Sequence, residues 1–179
     1  MKYITRVLNE VWSGGQRGAD QGGLAAAHDL GLKTGGYAPK GWMTRNGPLP
    51  ELEVLGLIEH SSPKYPPRTF ANVKGTDGTI RLATDFSTAG ERLTFEAIQQ
   101  YEKPFLDIYL LEELSPPEVT AEWIVTNNIS KLNVAGNSGE TREEATLIFQ
   151  VVRKYLTLVF SIAVEKELSA YDEEEDSQS

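Results

Sequence analysis

The run Ser13-Gly14-Gly15-Gln16-Arg17-Gly18 is the part of this sequence whose residue types and spacing come closest to chemistry. Glycines let a backbone turn tightly and approach a ligand, and a helix that starts after the turn aims free N–H groups and a positive dipole end at an anion. Asp20 then stands either as a favourable charge in the first helical turn or as an acceptor for a ligand hydroxyl. Two further glycine-bearing turns follow apolar runs, one with Ser87 and Gly90, the other with Gly136, Asn137 and Ser138. In an open parallel sheet such turns gather at the carboxyl ends of the strands, where ligands bind. Arg17, Lys40 and Arg68 are cations suited to phosphate or carboxylate, whereas an exposed ion pair is the plainer role for Arg45. Asn72 and Asp77-Gly78-Thr79 read either as an ordinary turn before a strand or as a wall of the site.

Groups for catalysis are sparse. The two histidines, His28 and His60, fall in an expected helix and an expected loop, away from the strand-end turns. With no cysteine there is no disulfide framework and no thiolate metal site, and so few histidines give no basis for zinc. Ser13 and Ser87 lack an evident base for nucleophilic attack. Glu91 and Glu96, at the start of the helix after the third expected strand, are the candidate acid/base carboxylates. The plainer role for Glu91 is to cap that helix.

The elements that must position these residues alternate between short apolar runs and helical periodicity, the form of repeated βαβ units around a parallel sheet. Strands are expected over 4–11, 33–37, 79–83, 104–111 and 131–135. Helices are expected over 20–30, 90–101, 116–127 and 141–168, the last carrying Ala145, Ile148, Val152, Tyr155, Leu156 and Val159 at helical spacing. Residues 38–65 contain several prolines and glycines with no sustained period, and are expected to form a long loop that walls or covers the site. The expected fold is a three-layer α/β/α arrangement, Rossmann-like, around a mainly parallel sheet of five or more strands.

At 179 residues with 40% hydrophobic content the chain suits one domain, expected over 1–168. The formal net charge of −9 argues against a nucleic-acid partner. Seven acids against one lysine from Glu165 onward concentrate that charge in a tail, so 169–179 reads as acidic and disordered. By sequence reading no apolar stretch approaches the length of a membrane span and no signal peptide is evident, so a cytoplasmic protein without a membrane partner is expected.

The segments SGGQRGADQGGLAAAHDLGLKTGGYAPKGW, GPLPE, PPRTFANVKGTDGTI, LTFEAIQQYEKPFL and LNVAG occur in order between about 7 and 160. In these the sequence resembles the putative molybdenum carrier family. That family sits in the Rossmann-like SLOG superfamily with the cytokinin-activating lysine-decarboxylase-like proteins and DNA-processing protein A. The resemblance implies a homo-oligomer, dimer or tetramer, with a pocket for a nucleotide, a phosphate-bearing pterin or the molybdenum cofactor. Its motifs place Gly14, Gly15, Gln16, Arg17, Gly18 and Asp20 on one wall of that pocket. Gly35, Gly36, Lys40 and Gly41 form a second wall, and Arg68, Asn72, Asp77, Gly78 and Thr79 a third. Two departures stand out: Ala89-Gly90-Glu91 replaces a Gly-Gly-Thr or Ser-Gly-Thr turn, and Asn137-Ser138-Gly139-Glu140 replaces a Pro-Arg continuation after LNVAG.

Three functions remain open from the sequence. One is a non-catalytic protein that holds, carries, senses or sequesters a phosphorylated nucleotide-derived ligand or the molybdenum cofactor. Another is a hydrolase of an N-glycosidic or phosphate bond using Glu91 or Glu96. The third is an interaction protein that works through its last helix and acidic tail.

Overall fold

The computed structural model describes residues 8–176, with side chains through Glu165. In chain order, β1 (Glu10–Trp12) leads into α1 (Ala19–Asp29) and β2 (Lys33–Ala38). A small hairpin follows, β3 (Met43–Thr44) with β4 (Gly47–Pro48), then a 3-10 helix (Pro50–Leu55) and β5 (Leu57–Glu59). Next come α2 (Tyr65–Lys74), β6 (Gly78–Ala83), α3 (Ala89–Tyr101) and β7 (Phe105–Tyr109). The remaining elements are α4 (Pro117–Thr126), β8 (Lys131–Gly136) and α5 (Arg142–Asp176).

Six strands form one sheet in the order β5-β2-β1-β8-β6-β7, every neighbouring pair parallel. Helices cover both sides, giving the expected three-layer Rossmann-like architecture. Side chains alternate across a strand, and here the alternation divides two chemistries. Val11, Ile80, Leu82, Leu132 and Val134 join α1, α4 and α5 in the main core. The intervening residues Thr79, Arg81 and Asn133 face the opposite side, where α2 packs on α3. Chain order reverses at the centre: β1 leads outward to β2 and β5, whereas β6 leads outward to β7. The last strand, β8, lies between β1 and β6.

Close packing of α1 explains its two internal glycines. A Cβ at Gly23 would lie 2.6 Å from Val134 Cγ1, and one at Gly22 would lie 3.0 Å from the Phe149 carbonyl. The helix thus seats directly on β8 and α5. The expected stripe of α5, Ala145 to Val159, is buried against α1 and α4, and Tyr155 places its hydroxyl 2.7 Å from that of Thr120.

Several expectations are corrected. The segment 38–65 is not a bare loop: it holds the hairpin, the 3-10 helix and the edge strand β5. Helix α2 has no counterpart in the sequence pattern, although Pro66 and Pro67 open it as prolines open helices. Strand β1 runs from Glu10 to Trp12, with Leu8 and Asn9 before it outside the strand, and residues 4–7 of the expected strand lie outside those described. Helix α5 continues to Asp176, into the expected disordered tail, whose residues 177–179 also lie outside. Over Arg142–Glu165 this helix is long and apolar enough to cross a membrane, contrary to expectation; its buried stripe gives that apolar content a packing role.

Candidate functional site

A cavity of ≈ 440 Å³ opens at the carboxyl ends of β1, β8 and β6, between the N-terminal turns of α2 and α3. This is where the strand order reverses, the usual ligand crevice of open α/β sheets. Its walls come from both halves of the chain, so no single segment of sequence defines it.

The turn after β1 supplies Gly14, Gln16 and Asp20. The turn does not wait empty for an anion, because Asp20 occupies it: Gln16 N–H donates to Asp20 Oδ2 at 3.1 Å. Burial pushes the Asp20 carboxyl up to about 6, while Arg68 and the Gln16 N–H act in the other direction. The Arg68 guanidinium, from α2, lies 3.7 Å from Asp20 Oδ2. It sits over Gly14, where a Cβ would collide with its Nη1. Glycine at 14 therefore leaves the space that the arginine fills. Arg68 Nε is buried with no hydrogen-bond partner, and burial lowers the pKa of the group.

Helix α3 supplies Ala89, Gly90, Glu91, Leu93 and Thr94. Thr88 is its N-cap, accepting from Glu91 N–H. The Glu91 side chain is thereby released from the capping role and turns inward. It is only 3% exposed, and its Oε2 accepts no hydrogen bond. Arg81 Nη1 stands 4.0 Å from that oxygen, but the guanidinium is committed elsewhere: Nε and Nη2 donate to both oxygens of Asp107, and Nη1 to the Glu91 carbonyl. Burial, only partly opposed by Arg81, pushes the Glu91 carboxyl up to about 7.

Asn133, Ala135, Gly136 and Ser138 close the floor. Asn72 lines the wall, and its amide is tied to the backbone of β2: it accepts from Tyr37 N–H at 2.8 Å and donates to the Tyr37 carbonyl at 3.1 Å. Above the first turn, the β3–β4 hairpin is latched down. Gln16 donates to the Met43 carbonyl and accepts from Arg45 N–H. Arg45, which lines the cavity mouth, also reaches the Gly139 carbonyl at 3.1 Å and Glu140 at 3.3 Å.

Of the residues expected from sequence, the cavity brings together Gly14, Gln16, Asp20, Arg68, Asn72, Gly90, Glu91, Gly136 and Ser138. The others lie elsewhere. Gly15 backs onto Leu52, Gly18 onto the Asn137 carbonyl, Gly35 onto Trp12 and Gly36 onto Ser13, so these glycines let neighbouring segments pack closely. Arg17 is half-buried with its Nε unpartnered, outside the lining. Lys40 N–H bonds to Ser62 and Gly41 N–H to Glu59, on the side toward β5. Ser87 N–H is held by Asp85, and Asn137 Oδ1 accepts from Thr84 and Asp85 N–H groups. Glu96 is exposed on α3. Asp77, Gly78 and Thr79 mark the opposite, amino end of β6: Asp77 Oδ2 accepts from Ser130 and Lys131 N–H at the start of β8, a brace rather than a wall. His28 and His60 do not line this cavity.

Sequence reading missed Tyr65, Pro66 and Thr69, because α2 was not apparent, and Asn133, although it lies inside the motif LNVAG. The in-out alternation of that motif, with apolar Leu132 and Val134 flanking a polar side chain, was the available signal.

Comparisons with known proteins bear on the family and the fold. Residues 11–160 match the model of the circularly permutated YpsA SLOG family. A crystal structure from Syntrophus aciditrophicus SB, described as a putative molybdenum carrier protein, is similar with 32% identity and a TM-score of 0.74, covering 87% of this chain and 96% of that one. No curated protein matches the sequence. Counted from β8 as first strand, the sheet order reads outward on both sides from the centre, as in Rossmann-like folds. By sequence match and strand order alike, the chain belongs to the circularly permutated YpsA family of SLOG proteins.

Proposed function

We propose that the chain binds and holds a small polar, nucleotide-derived or pterin-like molecule at the strand-order reversal. The observation that carries this reading is the buried, unpartnered Nε of Arg68 in the wall of a ≈ 440 Å³ cavity, a donor that a ligand oxygen would satisfy. Ala89 and Gly90, at the start of α3, add N–H groups that lack intrahelical partners. A molybdenum-bearing cargo, named for the similar Syntrophus protein, fits this lining only with its metal held by its own organic ligand. Among the described residues no group of His, Asp and Glu is arranged to hold a metal ion.

The test is native mass spectrometry of whatever co-purifies, followed by a thermal-shift screen of nucleosides, nucleotides, ADP-ribose, pterins and molybdate. A ligand at a hundred times its Kd stabilises the fold by about 2.7 kcal/mol, which Arg68→Ala should remove. A screen in which nothing shifts the melting temperature would sink the binding reading.

Glu91 favours a second reading, a hydrolase of an N-glycosidic bond. A carboxyl titrating at about 7 in a cavity shared with Asp20 has the protonation behaviour of a general acid at neutral pH. Chromatography of a bound nucleoside after long incubation separates the two: released base supports hydrolysis, and intact ligand supports holding.

A further inference from the structure

We infer that Glu91 sets the ligand class of this cavity: it selects a molecule that offers paired hydrogen-bond donors, a vicinal diol or an adjacent N–H/NH₂ edge, over one that places a phosphate at the α3 N-terminus. The inference rests on the binding reading above and refines it. Its warrant is the local charge balance. Arg68 faces Asp20 at 3.7 Å, and Arg81 is held in a bidentate pair by Asp107. Arg68 is thus matched by Asp20 and Arg81 chiefly by Asp107, so Glu91 has only a share of Arg81, whose Nη1 stands 4.0 Å from its Oε2 without a hydrogen bond. Its Oε2 is buried and accepts no hydrogen bond. Such a group is satisfied by a donor and repelled by an anionic oxygen. A helix start that would otherwise suit phosphate is therefore converted, by one carboxylate, into a reader of donors. The acceptor side of the same ligand falls to Arg68 Nε.

The groups facing Glu91 are Arg81 from β6, Asp107 from β7, Asp20 from α1 and Asp85 from the loop after β6. Only Arg81 among them favours the ionised carboxylate. Donor-bearing ligands should consequently bind better as pH rises toward the titration point near 7, by up to about tenfold per unit, and reach a plateau above it.

The experiment is calorimetric titration of the full chain with guanosine, which carries a diol, an N–H/NH₂ edge and a carbonyl in one molecule. Parallel titrations use 2′,3′-dideoxyguanosine, inosine and inorganic phosphate. Wild type, the near-isosteric E91Q and the hydroxyl-restoring E91T are compared, with circular dichroism to verify folding. The expected result is guanosine binding that E91T weakens at least tenfold, and a pH dependence that E91Q abolishes and D20N retains. Loss of affinity with the dideoxy compound assigns the diol, and loss with inosine assigns the base edge. Phosphate should bind E91T more tightly than wild type. If phosphate binds wild type and E91T alike while guanosine binds neither, this inference falls and the binding reading stands. If nucleoside and anion all fail to bind, both fall.

Discussion

At the residue scale, two buried carboxyls on one cavity carry measurable consequences. Burial raises Glu91 from 4.5 to about 7, so the folded chain holds that proton more tightly than the unfolded chain does. The associated stability is fully present below about pH 4.5 and is lost as pH rises to about 7, with a slope of at most about 1.4 kcal/mol per pH unit. Glu91→Gln, which cannot ionise, should therefore gain on wild type by roughly 2 kcal/mol between pH 5 and pH 8 in urea unfolding. An equal difference at both pH values would show that Glu91 is not buried as described. Gly14 offers a second measurement. Its Cβ space belongs to the Arg68 guanidinium, so Gly14→Ala should displace that tip and reproduce the binding loss of Arg68→Ala. The double variant should lose no more than either single one; additive losses would place the two residues in separate roles. Residue types at the first turn were legible in the sequence. That Asp20 fills the turn itself was not, since occupancy of a backbone cradle depends on a side-chain direction that spacing leaves free.

At the element scale, the expected strands and helices were legible where periodicity was long, as in α5, or apolar runs were bounded by glycine. They were illegible in β5 and α2. Strand β5 has three residues and sits at the sheet edge, too short for a period to register. Helix α2 buries only Thr69, Asn72 and Val73 outright, so its apolar face is thin. Two substitutions test what the elements do. Gly23→Ala gains helix propensity of about 1 kcal/mol but forces a methyl against Val134, an overpacking that costs about 1–3 kcal/mol. Chemical denaturation should show net destabilisation, and a stabilised variant would mean that α1 stands further from β8. Asp77→Ala should cost about 1–3 kcal/mol by orphaning the Ser130 and Lys131 N–H groups. Ligand affinity should stay within twofold, since this brace lies at the far edge of the sheet.

At the scale of the whole molecule, the cavity belongs to neither half of the sheet. Its lining comes from the turns after β1 and β8 and from the starts of α2 and α3. Ligand binding should accordingly slow hydrogen exchange at the first turn, α2 and α3 together; protection confined to one of them would contradict a shared cavity. The apolar surface of α5 has the same global meaning. Leu147 and Leu158 are exposed, whereas Val152 is fully buried. Leu147→Glu and Leu158→Glu should each change stability by less than about 0.5 kcal/mol, against about 1–3 kcal/mol lost in Val152→Ala. Strand order has a consequence in time as well. Strands β1 and β6 meet only through β8, so a chain emerging from the ribosome holds two unjoined half-sheets, each with a naked edge, until residue 136 has cleared the exit tunnel. The cavity cannot exist before β8 and the turn after it have emerged, and a nascent chain paused before Lys131 would be a client for chaperones rather than a partly working protein.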